Sequence, residues 1–202
     1  MQEIIDRLIL WDYEAWLYLN TQWVNPVLDA IMPFVRNQWT WAPLYLFLLI
    51  FMPMNYKRKG FMWCVFFLLT FALGDFISAS IIKPLYLRPR PCNNIHLKDI
   101  THLLVPCGSG YSFPSSHATN HFALGIFSAI TFKHITKWIW PIGLLWAISV
   151  GYAQIYVGVH FPGDVLVGGL LGSIVAIITG SVFNRIYKLE RKTATLAPPE
   201  TS

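Results

Sequence analysis

Residues 154–164, QIYVGVHFPGD, stand where one apolar run ends and the next begins. Residues 138–157 before it carry no charged side chain. Residues 161–184 after it carry only Asp164. Two runs of that length and hydropathy, joined by a short polar turn, read as two membrane-crossing helices. Pro162 suits the first turn of the second helix, where its missing N–H costs nothing. Asp164 then lies within reach of His160. A carboxylate on Nδ1–H fixes the tautomer of the ring, raises its basicity and leaves Nε2 free to attack. The plainer alternative is a satisfied interfacial His–Asp pair, and the rest of the chain has to decide between the two.

Composition points the same way. Of 202 residues, 55% are hydrophobic, 16% aromatic and 12% charged, with a mean hydropathy of +0.49. That is too apolar for a soluble domain of this size. The net charge of +5 reflects membrane topology, since no interleaved basic and aromatic patch suits a nucleic acid. Glu3, Asp6, Asp12 and Glu14, with no basic leader, are unlike a cleavable signal peptide. The three cysteines have no metal-ligand spacing.

The fold expected is an all-α integral membrane helix bundle of five transmembrane helices plus N-terminal interfacial helices. The spans fall at about 39–55, 61–82, 115–132, 138–157 and 161–186. Residues 1–36 are broken by charges and dense in Trp and Tyr, which favour the headgroup zone, so they read as an interfacial segment. A sixth crossing there is the alternative. Residues 37–190 form the core, with a long polar loop at 83–114, and 191–202 read as a disordered cytoplasmic tail. Nine of the fifteen Lys and Arg residues fall at 57–59, at Lys133 and Lys137, and at Arg185, Lys188, Arg191 and Lys192. Five spans put these three clusters on one face, cytoplasmic by the positive-inside rule. The 83–114 loop and the 158–163 turn then share the opposite face.

That shared face gathers three polar clusters. Lys83 with Arg90-Pro91 offers cations suited to anionic oxygens, although snorkelling at a membrane boundary would also explain them. In FPSSHATNH, Ser115 and Ser116 start a helix whose first amides can bind an anion. Capping explains those serines but not His117. The third cluster is the His160–Asp164 turn. Cations, an anion-binding helix start, one histidine for acid chemistry and one activated for attack together suit phosphoryl transfer through a phosphohistidine, without a cofactor or a metal.

With these residues in place, the chain resembles the type-2 phosphatidic acid phosphatase family, membrane lipid phosphatases related to vanadium haloperoxidases. The family's motifs read Lys-x6-Arg-Pro, Pro-Ser-Gly-His and Ser-Arg-x5-His-x3-Asp. Lys83 to Pro91 fits the first, and Pro114 to His117 fits the second except at Ser116. Ala153-Gln154 through His160 to Asp164 fits the third except at its first two positions. The resemblance implies that His160 attacks phosphorus, Asp164 orients it, and His117 protonates the leaving oxygen and then activates water. It also implies that Lys83, Arg90, Ser115, Ser116 and Gln154 surround the phosphoryl oxygens. The substrates it suggests are undecaprenyl diphosphate, phosphatidylglycerophosphate, phosphatidic acid or a lipid A phosphate, at the periplasmic face of a bacterial inner membrane.

Gln154 is the departure that matters. Loss of a charge-assisted bond costs about 1.5–3 kcal/mol, roughly 10- to 150-fold in rate, with Arg88 a partial substitute. Two other readings stand beside this one: a catalytically impaired lipid-binding relative, and a metal-dependent hydrolase using His117, His121, His160 and Asp164. Asp75 is an intramembrane acid expected to bond Ser78, a neighbouring helix or a motif cation. Cys92 and Cys107 flank the loop and allow a disulfide. Gly168, Gly169 and Gly172 suit helix packing. His96 and His102 receive no role. Partners beyond lipids, and the oligomeric state, are not legible.

Overall fold

The computed structural model describes residues 2–190, so the expected tail at 191–202 lies outside the described residues. Every regular element among them is helical. The chain opens with α1 (Gln2–Leu17), a π-helical turn (Tyr18–Gln22) and α2 (Pro26–Arg36). A long element α3 (Gln38–Asp75) follows, then a π-helical stretch (Phe76–Ile82) and the short α4 (Lys83–Tyr86). The bundle closes with α5 (Ser116–Phe132), α6 (Ile139–Tyr156) and α7 (Pro162–Ile186).

Three helical stretches are long and apolar enough to cross a membrane: Gln38–Asn93, Ile139–Tyr156 and Pro162–Ile186. The first is not straight. Lys57 takes a left-handed φ of 50°, and the chain folds back there. The returning limb packs against the outgoing one so closely that a Cβ on Gly60 would collide with the Met52 carbonyl. The Cys64 Sγ–H then points to the Leu49 carbonyl at 3.6 Å. The basic turn at 57–59 is therefore a hairpin between two helical limbs, as its charge pattern suggested.

The bundle core explains why these helices associate. In lipid, apolar surface gains little from leaving one hydrocarbon environment for another, so close packing has to hold helices together. Helix α7 lies so tightly on α5 that a Cβ on Gly172 would strike the Thr119 carbonyl. Gly125 and Gly143 meet back to back where α5 crosses α6. Trp63, Phe67, Phe127 and Phe183 fill the remaining volume. Two buried polar pairs, Trp63 Nε1 to Thr131 Oγ1 at 2.8 Å and Thr70 Oγ1 to Thr179 Oγ1 at 2.8 Å, fix the register of α3 with its neighbours.

The two ends of the bundle differ. At one, Lys59 Nζ donates to the Lys188 carbonyl at 3.2 Å, so the basic hairpin and the basic end of α7 lie together. At the other, the 83–114 loop, the turn between α6 and α7 and the first two helices converge. Asn20 ties three of these pieces: its amide donates to the Tyr156 and His102 carbonyls at 2.7 and 3.1 Å, and its oxygen accepts from His102 N at 2.9 Å. Cys92 and Cys107 are joined in a disulfide with Cα atoms 6.0 Å apart.

Candidate active site

The site is built on the turn that leaves α6. Val159 N and His160 N both donate to the Gln154 carbonyl, each at 3.2 Å, which closes the helix and turns the chain back. Gly158 makes this possible: its φ is +84°, and a Cβ there would strike Thr101 and the His102 carbonyl. Pro162 then opens α7 as its first helical residue. Asp164 Oδ2 accepts from Phe161 N at 2.8 Å, capping the helix from within.

His160 is buried, 2% exposed, with Nδ1 3.5 Å from Asp164 Oδ2 and no closer partner. The short bonds of Asp164 go elsewhere. Its Oδ1 accepts from Arg88 Nη1 at 2.8 Å, and Arg88 Nη2 donates to Asp12 Oδ2 at 2.7 Å. Asp12 also accepts from Gly163 N through Oδ1 at 2.6 Å. The Arg88 guanidinium carbon lies 4.0 Å from the centre of the Phe161 ring, in cation–π contact. Arg88 is thus held between two carboxylates behind the histidine, which speaks against its substituting for a missing arginine at 154.

Burial pushes the His160 pKa down to about 4. Asp164 opposes that shift, and the charges of Arg90 and Lys83 add to it. The ring is therefore neutral near pH 7, the form that can attack. Its dependence on Lys83 and Arg90 also means that both cations stand within electrostatic reach of it. Arg90 is held by the Gly110 carbonyl on Nε at 3.0 Å and reaches the Val159 carbonyl through Nη1 at 3.5 Å. Lys83 Nζ has no hydrogen-bond partner among the described residues.

The start of α5 is tied to the same turn by Ser115 N, which donates to the Asp164 carbonyl at 2.9 Å. Ser115 Oγ caps the helix by accepting from Ala118 N at 3.4 Å. The first-turn amides of Ser116 and His117 then have no partner within the helix, which makes an anion-binding terminus. Ser116 Oγ accepts from Ser78 Oγ at 3.1 Å. Asp75 accepts from Asn120 Nδ2 at 2.9 Å, so the intramembrane acid bonds a neighbouring helix, one of the three options open to it.

The four-residue metal site is not assembled. His121 Nδ1 bonds the His117 carbonyl at 2.8 Å and its Nε2 faces Tyr45 Oη at 3.4 Å, so both ring nitrogens are occupied. Among the described residues no group of three or more His, Cys, Asp or Glu side chains is placed to hold a metal.

Three functional contacts were not foreseen. Asp12 belongs to a segment whose charges looked merely interfacial. His102 Nε2 donates to Asp29 Oδ1 at 2.8 Å, and Tyr156 Oη donates to the same oxygen at 2.7 Å, anchoring loop and α2 to α6. Arg36, the last residue of α2, donates from Nε to the buried Gln154 Oε1 at 3.3 Å. Asp12 and Arg36 are charges on the polar faces of amphipathic helices and His102 sits in a polar loop, so none of the three carries a local signal of its partner.

Three clefts lie beside the start of α5 and the helices around it. A cleft of about 480 Å³ is lined by Arg36, Val105 and His117. A second, of about 390 Å³, shares His117 and adds Asp75, Ser116, His121 and Tyr45. A third, of about 500 Å³, shares Tyr45 and continues between Leu44, Phe67, Ile142 and Trp146, with almost no polar lining. The third is remote from His160.

The profile of the PAP2 superfamily matches residues 63–188. A lipid A 4'-phosphatase of Bacteroides thetaiotaomicron is 31% identical over 151 residues, 73% of this chain and 66% of that protein. An undecaprenyl-diphosphatase of Sulfolobus acidocaldarius is 32% identical over 155 residues, 75% of this chain and 69% of that protein. The crystal structure of Aquifex aeolicus LpxE superposes with a TM-score of 0.65 at 31% identity, covering 83% of this chain and 93% of that one. A transmembrane PAP2-type phosphatidylglycerolphosphate phosphatase from Bacillus subtilis shares the fold at a TM-score of 0.73 and 22% identity.

Proposed function

The chain belongs to the PAP2 superfamily, and from that premise we propose that it is a membrane lipid phosphatase acting on a lipid phosphate or diphosphate. The observation that carries this reading is the buried, neutral His160 backed by Asp164 and Arg88, with Lys83 and Arg90 nearby and free of ion pairs among the described residues. The solved relative of 31% identity and the two curated phosphatases support it.

His160 Nε2 attacks phosphorus while the bond from phosphorus to the leaving oxygen breaks. Asp164 stabilises the positive charge that develops on the ring, and the 3.5 Å separation shortens as that charge appears. His117, protonated beside the incoming anion, gives its proton to the leaving oxygen. It then takes a proton from water, whose oxygen attacks the phosphoryl group and returns the electron pair to His160. Lys83, Arg90, Ser115, Ser116 and the amides of Ser116 and His117 hold the phosphoryl oxygens.

Shared lining residues let a headgroup lie near His117 while its tail follows the apolar cavity past Tyr45 and Trp146. Of the candidate substrates, undecaprenyl diphosphate and a lipid A phosphate have the named relatives on their side. The chain is an integral membrane protein. A bacterial inner membrane with the site facing the periplasm agrees with the lone disulfide at that end and the basic hairpin at the other.

The test is phosphate release from undecaprenyl diphosphate, lipid A phosphate and phosphatidic acid by purified protein in detergent, with EDTA present. Turnover that survives EDTA and is lost in His160→Ala is expected. Activity that EDTA abolishes would overturn the mechanism.

A further inference from the structure

Arg36 is a half-buried guanidinium at the mouth of the site. Its one hydrogen bond among the described residues runs from Nε to Gln154 Oε1, so both Nη groups are without a protein acceptor there. Among the described residues no carboxylate pairs with it. Burial, and then the charge of Arg90, lower its pKa from the usual guanidinium value. A cation removed from water beside a like charge is unfavourable unless an anion joins it. Gln154 also lacks a partner: it is fully buried, and its Nε2 donor meets no acceptor among the described residues.

The placement is not incidental to α2. Asp29, two turns earlier, is bonded by both Tyr156 and His102, and Asn25 caps the helix through Leu28 N at 2.9 Å. The helix is thereby fixed on α6, and its last residue is delivered to Gln154. Gln154 in turn carries the carbonyl that accepts from His160 N. Arg36 lines the same cleft as His117, so it stands between the two histidines' segments.

We propose that Arg36 is a phosphoryl-binding residue of this enzyme, supplied by the N-terminal helix α2 in place of an arginine at position 154, with Gln154 as the positioning residue that holds it. This rests on the phosphatase reading of the site. The free Nη groups donate to the phosphoryl oxygens as charge accumulates on them, and the Gln154 amide fixes the plane of the fork through Nε. The guanidinium that the third motif lacks comes from 118 residues away in the chain.

The experiment is a cycle of Arg36→Ala, Arg36→Lys, Gln154→Arg and the double variant Arg36→Ala/Gln154→Arg, each checked by thermal unfolding in detergent. Two quantities are read: kcat/KM, and affinity for inorganic phosphate by calorimetry. Arg36→Ala is expected to lower kcat/KM about 10- to 150-fold, the loss of one charge-assisted bond, and to weaken phosphate binding. Arg36→Lys recovers part of the loss, because a point charge remains without the fork. The double variant recovers most of it, because the guanidinium now arises from position 154.

A folded Arg36→Ala with unchanged kcat/KM, beside an inactive His160→Ala, would overturn the proposal while leaving the phosphatase reading intact. If the natural chain releases no phosphate at all, the phosphatase reading fails, and phosphate affinity still decides on Arg36. Weaker binding in Arg36→Ala restored by Gln154→Arg supports its role, and unchanged binding overturns it.

Discussion

Arg88 and Arg36 both stand next to the His160 turn, and the protein uses the same side-chain group in opposite ways. Arg88 lies between two carboxylates, Asp12 and Asp164, with a ring beneath it. Each Nη donates to a carboxylate, so its charge is already matched inside the protein. Arg36 meets one neutral amide and feels the charge of another cation, Arg90. Charges that are paired hold geometry, and charges left without a partner are available to a ligand. The clamp behind the histidine and the mouth in front of it are thus separable, and each can be broken without the other.

Removing His160, the proposed nucleophile, is the most severe test of the whole arrangement. His160→Ala is expected to cost roughly 10^4- to 10^6-fold in kcat while the clamp keeps the bundle folded. A variant that loses its thermal transition along with its activity would mean that the ring is as much a structural as a chemical element.

Breaking the clamp comes next. Arg88→Ala leaves Asp164 buried and Asp12 nearly so, at a cost of about 3–5 kcal/mol. The lower end is expected because Arg88 keeps 22% of its side-chain exposure. Unfolding by denaturant should show that loss, and kcat should fall with it as Asp164 swings from the ring. An undiminished transition would remove the idea that this side of the site is held by charge pairing.

Acid titration probes the burial of His160. Its folded pKa, about 4, lies below the value of 6.5 for a free imidazole. Between pH 6.5 and 4 the unfolded chain binds the extra proton, so stability falls as pH falls through that window, by up to about 3 kcal/mol. Below 4 this contribution is constant. In His160→Asn the slope over this window should flatten, and a slope left unchanged would assign the acid sensitivity to another group.

The smallest effect is expected from sharpening the mouth in the wrong place. Gln154→Arg in the natural chain adds a second guanidinium where Gln154 is fully buried against Arg36. Overpacking and like charge should cost about 1–3 kcal/mol of stability, without a gain in kcat/KM. A marked gain would say that position 154 is better placed for phosphate than Arg36 is.

Much of this molecule was legible before any coordinates. The apolar runs at 115–132, 138–157 and 161–186 ended within one residue of α5, α6 and α7, because a bilayer requires long uncharged stretches and leaves the breaks conspicuous, while those at 39–55 and 61–82 share one folded-back helical stretch. The basic turn at Lys57, the start of α5 at Ser116 and the Pro162 start of α7 were all read from local chemistry. The pairing of His160 with Asp164 was also local, since a helix start brings residues four apart together. His117, Arg90 and Ser115 could be placed on one face by counting spans.

Asp12, His102 and Arg36 could not be placed that way. Their partners lie 151, 73 and 118 residues distant, and nothing in a neighbouring residue announces them. Residues 1–36 looked like interfacial packing because their amphipathic pattern says only that one face is apolar. Which charge on the polar face meets the site depends on how α2 is seated on α6. Arg88 was misread for the same reason: its loop position allowed phosphate, and only the fold put two acids around it.

The sequence by itself determined that this chain is a membrane helix bundle with a phosphoryl-transfer chemistry gathered on one face. Hydropathy, capping and motif spacing act over one or two helical turns, and such signals survive in the order of residues. The tertiary structure alone decided which guanidinium is locked into the clamp and which is left for the substrate. That choice is made by electrostatic contacts between elements far apart in the chain, which exist only once the helices are packed.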